Sequence, residues 1–514
     1  HHRDRRRPSL TQQQKEVPMD EQKFFHSVYL DDKLCRGCVN CIKRCPTEAI
    51  RVWDGKAHIL EKFCIDCGEC VRTCSYHAKR IRRDNLGILE RYDYTVALPP
   101  PSFYTQFNNL QDVNILLTAL LYLGFDDVYE VADAAEQVSE ATKRYIADHP
   151  ENWPLISTAC PTVVRLVRIR FPNLLEHLLP LNPPVEVAAR LARQRAMERT
   201  GLCADQIGVI FLSPCPAKIT YAKTPLGTDS SAIDGAIAIK DIYPKLLFHM
   251  KEARKHPLSL STAGQRGVGW GKGAGESYAL DTDRFLAADG IENIIKVLEE
   301  LEDEKLRDLE FIELDACPGG CVGGTLQVEN AYVAKSKFKR LNHFLPPVRT
   351  STDPPGTQQA LPWDDEVQYE PVFRLGHNVR ESIAMVNQMN ELLEQLPGLD
   401  CGSCGAPTCR ARAEDIVRGQ SSTLDCIHVL KRSVKELTAA CSDLADQALH
   451  DIPGADARLQ PLLESLQKLG AQAALMDGPL QRRAAEAESA SPDFPKTPAA
   501  QNAPAGPDTT QEES

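Results

Sequence analysis

No apolar run in these 514 residues reaches the roughly 18 that a membrane-spanning helix needs, and no secretory signal pattern opens the chain. Positive charge is also in short supply. With 59 Lys and Arg against 71 Asp and Glu the formal net charge is -12, which argues against a general nucleic-acid role. A cytoplasmic location without a membrane span is the resulting expectation. The missing export signal also governs the 18 cysteines: in a reducing compartment they point to metal ligation rather than disulfides. Hydrophobic content of 42% is ordinary for a globular protein, and the length calls for several domains.

Sixteen of the cysteines fall into three groups. The first is Cys35, Cys38, Cys41 and Cys45, followed by Cys64, Cys67, Cys70 and Cys74. This is C-x2-C-x2-C-x3-C written twice, the spacing by which ferredoxins hold two cubanes, the fourth cysteine of each run serving the other cluster. Cys35, Cys38, Cys41 and Cys74 are expected to hold one [4Fe-4S] cluster, and Cys45, Cys64, Cys67 and Cys70 the second. Zinc is the competing metal, but its sites usually pair C-x2-C units rather than use triplets plus a fourth. Ser75 stands where a proline is usual.

The second group lies at the ends of candidate strands: Leu155-Ile-Ser-Thr-Ala-Cys160-Pro161, Ile210-Phe-Leu-Ser-Pro-Cys215-Pro-Ala-Lys218 and Phe311-Ile-Glu-Leu-Asp-Ala-Cys317-Pro-Gly-Gly-Cys321. Ligands of open α/β sheets sit outside the carboxyl ends of strands, so these four thiols can converge on one metal centre. The third group is Cys401-Gly-Ser-Cys404-Gly-Ala-Pro-Thr-Cys409 with Cys426 further on. Cys203 and Cys441 are left over and are expected to be buried apolar residues rather than ligands.

Residues 1–27 are polar and open on His1-His2-Arg3, which fits a reading begun upstream of a start at Met19. They are expected to be disordered. A ferredoxin-like unit covers 28–90. Strand Tyr94–Leu98, helix Val113–Phe125, strand Val128–Val131, helix Val185–Thr200, strand Ala236–Ile239 and helix Ile291–Leu301 then alternate. That order predicts a parallel α/β sheet over 91–345. Residues 346–371 read as a linker, rich in Pro, Thr, Asp and Gln. A helical segment over 372–450 contains helices Val379–Gln395 and Ile427–Leu449. The tail, 451–514, reads as weakly structured to disordered, with no catalytic output domain.

The three strand-end loops resemble the signature motifs of the [FeFe]-hydrogenases, which carry the H-cluster: a [4Fe-4S] cubane joined through one cysteine to a diiron unit with CO, CN and a bridging dithiolate. The resemblance covers residues 28 to 450 and implies a two-lobed α/β domain. It implies that Cys160, Cys215 and Cys317 hold the cubane, that Cys321 holds it while bridging to the diiron unit, and that Lys218 donates to a cyanide. A compact ammonium suits an anionic ligand in a dry pocket. Gly319, Gly320, Gly323 and Gly324 would let the backbone approach the cluster. The third cysteine group resembles the small [4Fe-4S] module of the corrinoid iron–sulfur protein and the Rnf complex, implying a cubane on Cys401, Cys404, Cys409 and Cys426, with zinc again the competitor.

Departures from the family are as informative. Ala159 replaces a cysteine that passes protons, and losing a positioned acid/base typically costs about 10²–10⁴-fold. Ser213 and Asp315 replace methionines. Tyr221 falls where the glutamate of the usual proton path stands, and Gly323-Gly324-Thr325-Leu326-Gln327 replaces Gly-Gly-Gly-Gln-Pro. These changes resemble the sensory branches of the family, expected to turn over H2 slowly. Ser213 and Asp315 either retune the cluster or are satisfied structural groups. Glu130, Glu136 and Glu140 are either relay acids or ordinary helix glutamates. The resemblance thus implies slow H2 = 2H+ + 2e−, an anaerobic host, dedicated maturation proteins and a redox partner, either a ferredoxin or a signalling protein. The alternatives are a cubane-only electron carrier and a hydrogenase-like iron–sulfur assembly protein.

Overall fold

The computed structural model describes residues 25–353 and 356–451, with a few positions between 460 and 468. The N-terminal segment before residue 25 and nearly all of the tail lie outside the described residues. Eleven strands are described: β1 (Val28–Leu30), β2 (Ile50–Trp53), β3 (Lys56–Ile59), β4 (Lys79–Ile81), β5 (Tyr94–Leu98), β6 (Asp127–Val128), β7 (Leu155–Ile156), β8 (Ile207–Ser213), β9 (Gly235–Ala238), β10 (Phe285–Asp289) and β11 (Phe311–Asp315). The ferredoxin-like unit pairs β1 with β4 and β2 with β3, both antiparallel, and each cysteine triplet feeds one four-residue helix, Asn40–Lys43 or Glu69–Arg72. His26 and Ser27, expected within the disordered start, are instead buried. The Ser27 hydroxyl donates to the Pro216 carbonyl at 2.9 Å and its amide to Thr220 Oγ1 at 3.2 Å, which ties the ferredoxin-like unit to the α/β region.

The α/β region holds two parallel sheets, ordered β6-β5-β8-β9 and β10-β11-β7. Every residue of β8 is buried, as an apolar strand covered on both faces requires. Side chains alternate across the first sheet. Ala97, Ile210 and Leu212 enter one core, while Val96, Leu98, Val209 and Phe211 enter another. That second core also takes Leu155 and Phe311, so it is the apolar layer where the two sheets meet. The far face of the smaller sheet packs Ile156, Ile312 and Leu314 against helices Pro161–Arg170 and Ile291–Glu302.

Local signals account for the helix ends. Asp112 accepts from the Asn114 amide at the start of Val113–Leu123, and Gly124 closes it at φ 121°, so Phe125 leaves the helix that the periodicity alone would extend. Helix Pro184–Thr200 stops at Gly201 in the left-handed conformation. The segment expected to be a linker is fastened to the domain: the Asn182 amide donates to the carbonyls of Ala360 and Pro362 at 3.1 and 2.7 Å, and Arg190 pairs with Asp364 at 2.6 Å.

Two compact units result. Of the described residues, one comprises those up to Leu393 together with Gly398–Gln420; the other comprises Glu394–Pro397 and those from Ser421. Within the second, Cys426 is buried just ahead of helix Ile427–Asp451, and Arg432 donates to the Gln395 carbonyl at 2.7 Å.

Candidate metal centres and cavity

The strand ends deliver the second cysteine group as the topology requires. β8 from one sheet leads to Cys215, and β7 and β11 from the other lead to Cys160 and Cys317. The thiols sit close enough to perturb one another. Burial raises Cys215, Cys317 and Cys321, and neighbouring thiolates add to it: Cys160 on Cys215; Cys215, Cys160 and Cys321 on Cys317; Cys215 and Cys160 on Cys321. Cys321 is pushed up to about 12, despite the opposing pull of Lys218. Thiols held together and desolvated in this way are costly to ionise by themselves and well suited to a cationic metal centre.

Lys218 Nζ lies 3.8 Å from Cys321 Sγ and 3.0 Å from the Ala159 carbonyl. Burial alone would depress its pKa, but the thiolates of Cys321, Cys215 and Cys160 outweigh burial and raise it. The lysine is therefore a fixed cation at the thiol cluster. Beside it opens a cavity of about 50 Å³ lined by Ala159, Lys218, Cys321, Glu276, Glu313 and Asp315, with an apolar remainder that includes Val131, Phe211 and Trp270. Gly320 shapes the motif loop. It sits at φ 87°, and a Cβ there would fall 2.3 Å from the Gly273 amide nitrogen.

Three acids share this cavity wall. Burial pushes Asp315 up to about 6, opposed by Lys218 and assisted by Asp289. Burial and then Asp315 push Glu313 up to about 8, while its carboxylate accepts from the Ser277 amide and hydroxyl, both at 2.8 Å. Glu276 is raised by burial and by Glu313, and its carboxylate lies 2.5 Å from the Ser157 hydroxyl, two residues before Ala159. Sequence reading passed over Glu276 and Glu313. An acid inside the apolar strand Phe311–Asp315 was a usable signal for Glu313; Glu276 had none.

Other expected site residues fall elsewhere. The buried Ser213 hydroxyl donates to the Cys215 carbonyl at 2.8 Å and braces the loop. Glu130 bonds Tyr104, Ser261, Thr262 and Ala263, and Glu136 bonds the amides of Gly264, Gly267 and Arg349. Both are structural ties, and Glu140 is exposed and paired with Lys143. Tyr221 lines a neighbouring cavity with Asp66, Arg165 and Trp363, and its buried hydroxyl finds no partner among the described residues. Cys203, expected to be buried, is exposed at the start of a short turn, and Cys441 is half-buried.

The ferredoxin-like cysteines divide by neighbourhood. Burial and then the thiolates of Cys38, Cys74 and Cys35 push Cys41 up to about 11, against the pull of Lys79. Burial also raises Cys64, Cys67 and Cys70, with Cys45 acting on all three. Cys74 thus joins the first triplet and Cys45 the second. Cys67 and Cys160 border the same apolar core, and Arg165 donates to the Cys64 carbonyl at 2.7 Å, so the second triplet abuts the strand-end site. His26, Cys64 and Asp66 also lie together, with His26 Nδ1 2.8 Å from Asp66.

A ferredoxin-like unit abutting a thiol-lined α/β site defines an iron–sulfur protein with several cysteine stations. Its matches with known families give the class its name. Residues 93–253 and 254–325 match the C-terminal domain of the iron-only hydrogenase large subunit, residues 27–75 a 4Fe-4S dicluster domain, and residues 396–428 an Fe-S cluster family. The central domain, residues 93–325, is thus similar to the iron-only hydrogenase large subunit, with iron–sulfur domains matched on either side. It is 25% identical over 362 residues to the periplasmic [Fe] hydrogenase large subunit of Nitratidesulfovibrio vulgaris, covering 58% of this chain and 86% of that protein. It is also 25% identical over 285 residues to the mouse nuclear prelamin A recognition factor, covering 45% of this chain and 61% of that protein's length. The [FeFe]-hydrogenase HydA1 of Chlamydomonas reinhardtii aligns with a TM-score of 0.38 at 14% identity, covering 50% of this chain and 87% of that one. Among the described residues, no helix is long and apolar enough to cross a membrane.

Proposed function

We propose that this chain interconverts H2 with protons and electrons at low turnover, as the sensory members of the [FeFe]-hydrogenase family are expected to do. The observation that carries the reading is the Lys218 ammonium 3.8 Å from Cys321 Sγ, at the wall of the cavity beside the four-thiol site. The residues present fit an H-cluster. Cys160, Cys215, Cys317 and Cys321 would hold its cubane, Cys321 would bridge to the diiron unit, and Lys218 offers a fixed cationic donor where an anionic ligand would sit. When bound, that group supplies the redox chemistry of H2 = 2H+ + 2e−.

The chain's own residues place, shield and supply protons. Phe211, Val131 and Trp270 keep the cavity apolar. Ala159 has no titratable atom, so a proton arriving there must be taken by another group. Glu276 is placed to relay it: its carboxyl group lines the same cavity and accepts from the Ser157 hydroxyl, burial and Glu313 raise its proton affinity, and it would take up a proton only after passing its own onward. Ser213 holds the Cys215 turn, and Asp315 sets the local field at the cavity wall opposite the lysine charge. The ferredoxin-like unit would hold two [4Fe-4S] clusters, and Cys401, Cys404, Cys409 and Cys426 one more, the latter on the strength of the family match over 396–428. A redox protein would exchange electrons with the chain, and maturation proteins would install the diiron unit.

Infrared spectroscopy of protein co-expressed with hydrogenase maturation proteins tests this. CO and CN stretching bands are expected. Their absence from protein carrying its full complement of cubane iron sinks the H2 reading and favours a cubane-only carrier or assembly protein.

A further inference from the structure

We infer that the Cys401–Cys409 loop is the outer terminus of a single file of cysteine stations, joined to the Cys35–Cys38–Cys41–Cys74 station and not to the strand-end site. The inference rests on the proposal that these cysteines hold cubanes. It comes from where the chain places residues 398–420 after more than 300 intervening positions.

That segment is built onto the ferredoxin-like unit. The Val52 amide in β2 donates to the Gly405 carbonyl at 2.8 Å, and Lys43 Nζ donates to the Pro407 carbonyl at 2.8 Å. The Thr408 hydroxyl donates to Glu48 at 3.1 Å, and Arg51 pairs with Asp415 at 2.6 Å with both side chains nine-tenths buried. Gly405 adopts φ +85°, and a Cβ there would meet the Val52 carbonyl oxygen at 1.8 Å, so only glycine lets strand and loop come this close. Gly402, at φ +78°, lies beside the Ile42 and Lys43 side chains.

These contacts fix an order. Lys43 ends helix Asn40–Lys43, which carries Cys41 of the first station. The second station, Cys45 with Cys64, Cys67 and Cys70, faces the strand-end site through Arg165 and through Arg72, which donates to the Gly323 carbonyl at 2.8 Å. The sequence of stations is therefore strand-end site, second triplet, first triplet, C-terminal loop. The loop's other face is open: Cys401, Ser403 and Arg410 are exposed, as is Leu399, while Gly402 and Gly405–Pro407 are buried against the ferredoxin-like unit. Each H2 oxidised releases two electrons and two protons, and two one-electron carrier proteins, each reduced once, would take the electrons at this outer end.

Electron paramagnetic resonance of the reduced full chain tests the order, and it reads spin coupling whether or not a diiron unit is present. In a Cys67→Ala background, which removes the second station's cluster, coupling between two reduced cubanes should persist and should collapse to isolated signals when Cys404→Ala is added. Gly405→Val, which keeps every cysteine, should weaken the coupling at least twofold while iron content stays unchanged. Coupling that survives both Cys404→Ala and Gly405→Val overturns the inference, as does coupling lost instead on Cys160→Ala. If Cys404→Ala fails to lower iron by about four atoms per chain, the cubane on which the inference rests is itself refuted.

Discussion

At the scale of single residues, the decisive position is Ala159. It sits between a cavity that contains Lys218 and a network that begins with Ser157 and Glu276. On the proposed H2 reading, a methyl group there would interrupt proton transfer at the last step, and the neighbouring acids would offer a longer way round. Ala159→Cys is therefore expected to raise H2 turnover by about 10²-fold, the low end of what a positioned acid/base contributes. An H2-oxidation assay with a dye acceptor reads it, and an unchanged rate removes proton transfer as the reason for slow turnover. The cysteines at this scale were legible in the sequence because C-x2-C and strand-end spacings are local. Glu276 was illegible because nothing within ten residues of it announces a site. Its meaning comes from Ser157 and Glu313, over a hundred and several tens of positions away.

At the scale of elements, strands and helices followed their sequence signals where capping and periodicity agreed. β5 and helix Val379–Gln395 run over the residues the pattern predicts. Of the expected strand Val128–Val131, however, only Val128 is strand, because Val131 already opens helix Val131–Asp148, and Ile239, expected to end a strand, opens helix Ile239–Ala253. What the pattern missed is which element touches which. The Pro- and Asp-rich stretch after 345 has a linker's composition, yet Asn182 and Arg190 hold it down. Likewise β2 meets helix Cys409–Val417, which follows the Gly405 loop, through a buried Arg51–Asp415 pair whose charges neither neighbourhood would tolerate alone. Asp415→Ala should leave the Arg51 guanidinium buried and uncompensated and cost about 3–5 kcal/mol. Denaturant unfolding followed by iron–sulfur absorbance measures it; a loss below about 1 kcal/mol would show the pair to be a surface-type contact worth little.

At the scale of the whole molecule, the two parallel sheets meet across one apolar layer and confine Glu276, Glu313 and Asp315 beside it. That confinement has a pH signature. Glu313 moves from an ordinary 4.5 to about 8, so between those values the folded state keeps a proton that the unfolded state gives up. Stability contributed by this group is complete below pH 4.5 and is lost as pH rises through about 8. The apparent melting temperature should fall by a few degrees from pH 5 to pH 8, and Glu313→Gln should flatten that decline. A variant with the same slope as the parent would place the pH dependence elsewhere.

Sixteen cysteines in three spacings, one lysine three residues after Cys215 and an alanine before Cys160 were set by the sequence alone, because ligand spacing and strand-end motifs are short-range properties of a chain. Tertiary structure decided what no local pattern carries: that the second triplet abuts the strand-end site, that three acids share the lysine's cavity, and that the C-terminal loop returns to the ferredoxin-like unit. Those relations depend on the packing of segments tens to hundreds of residues apart, where burial rather than spacing sets charge, proton affinity and neighbourhood.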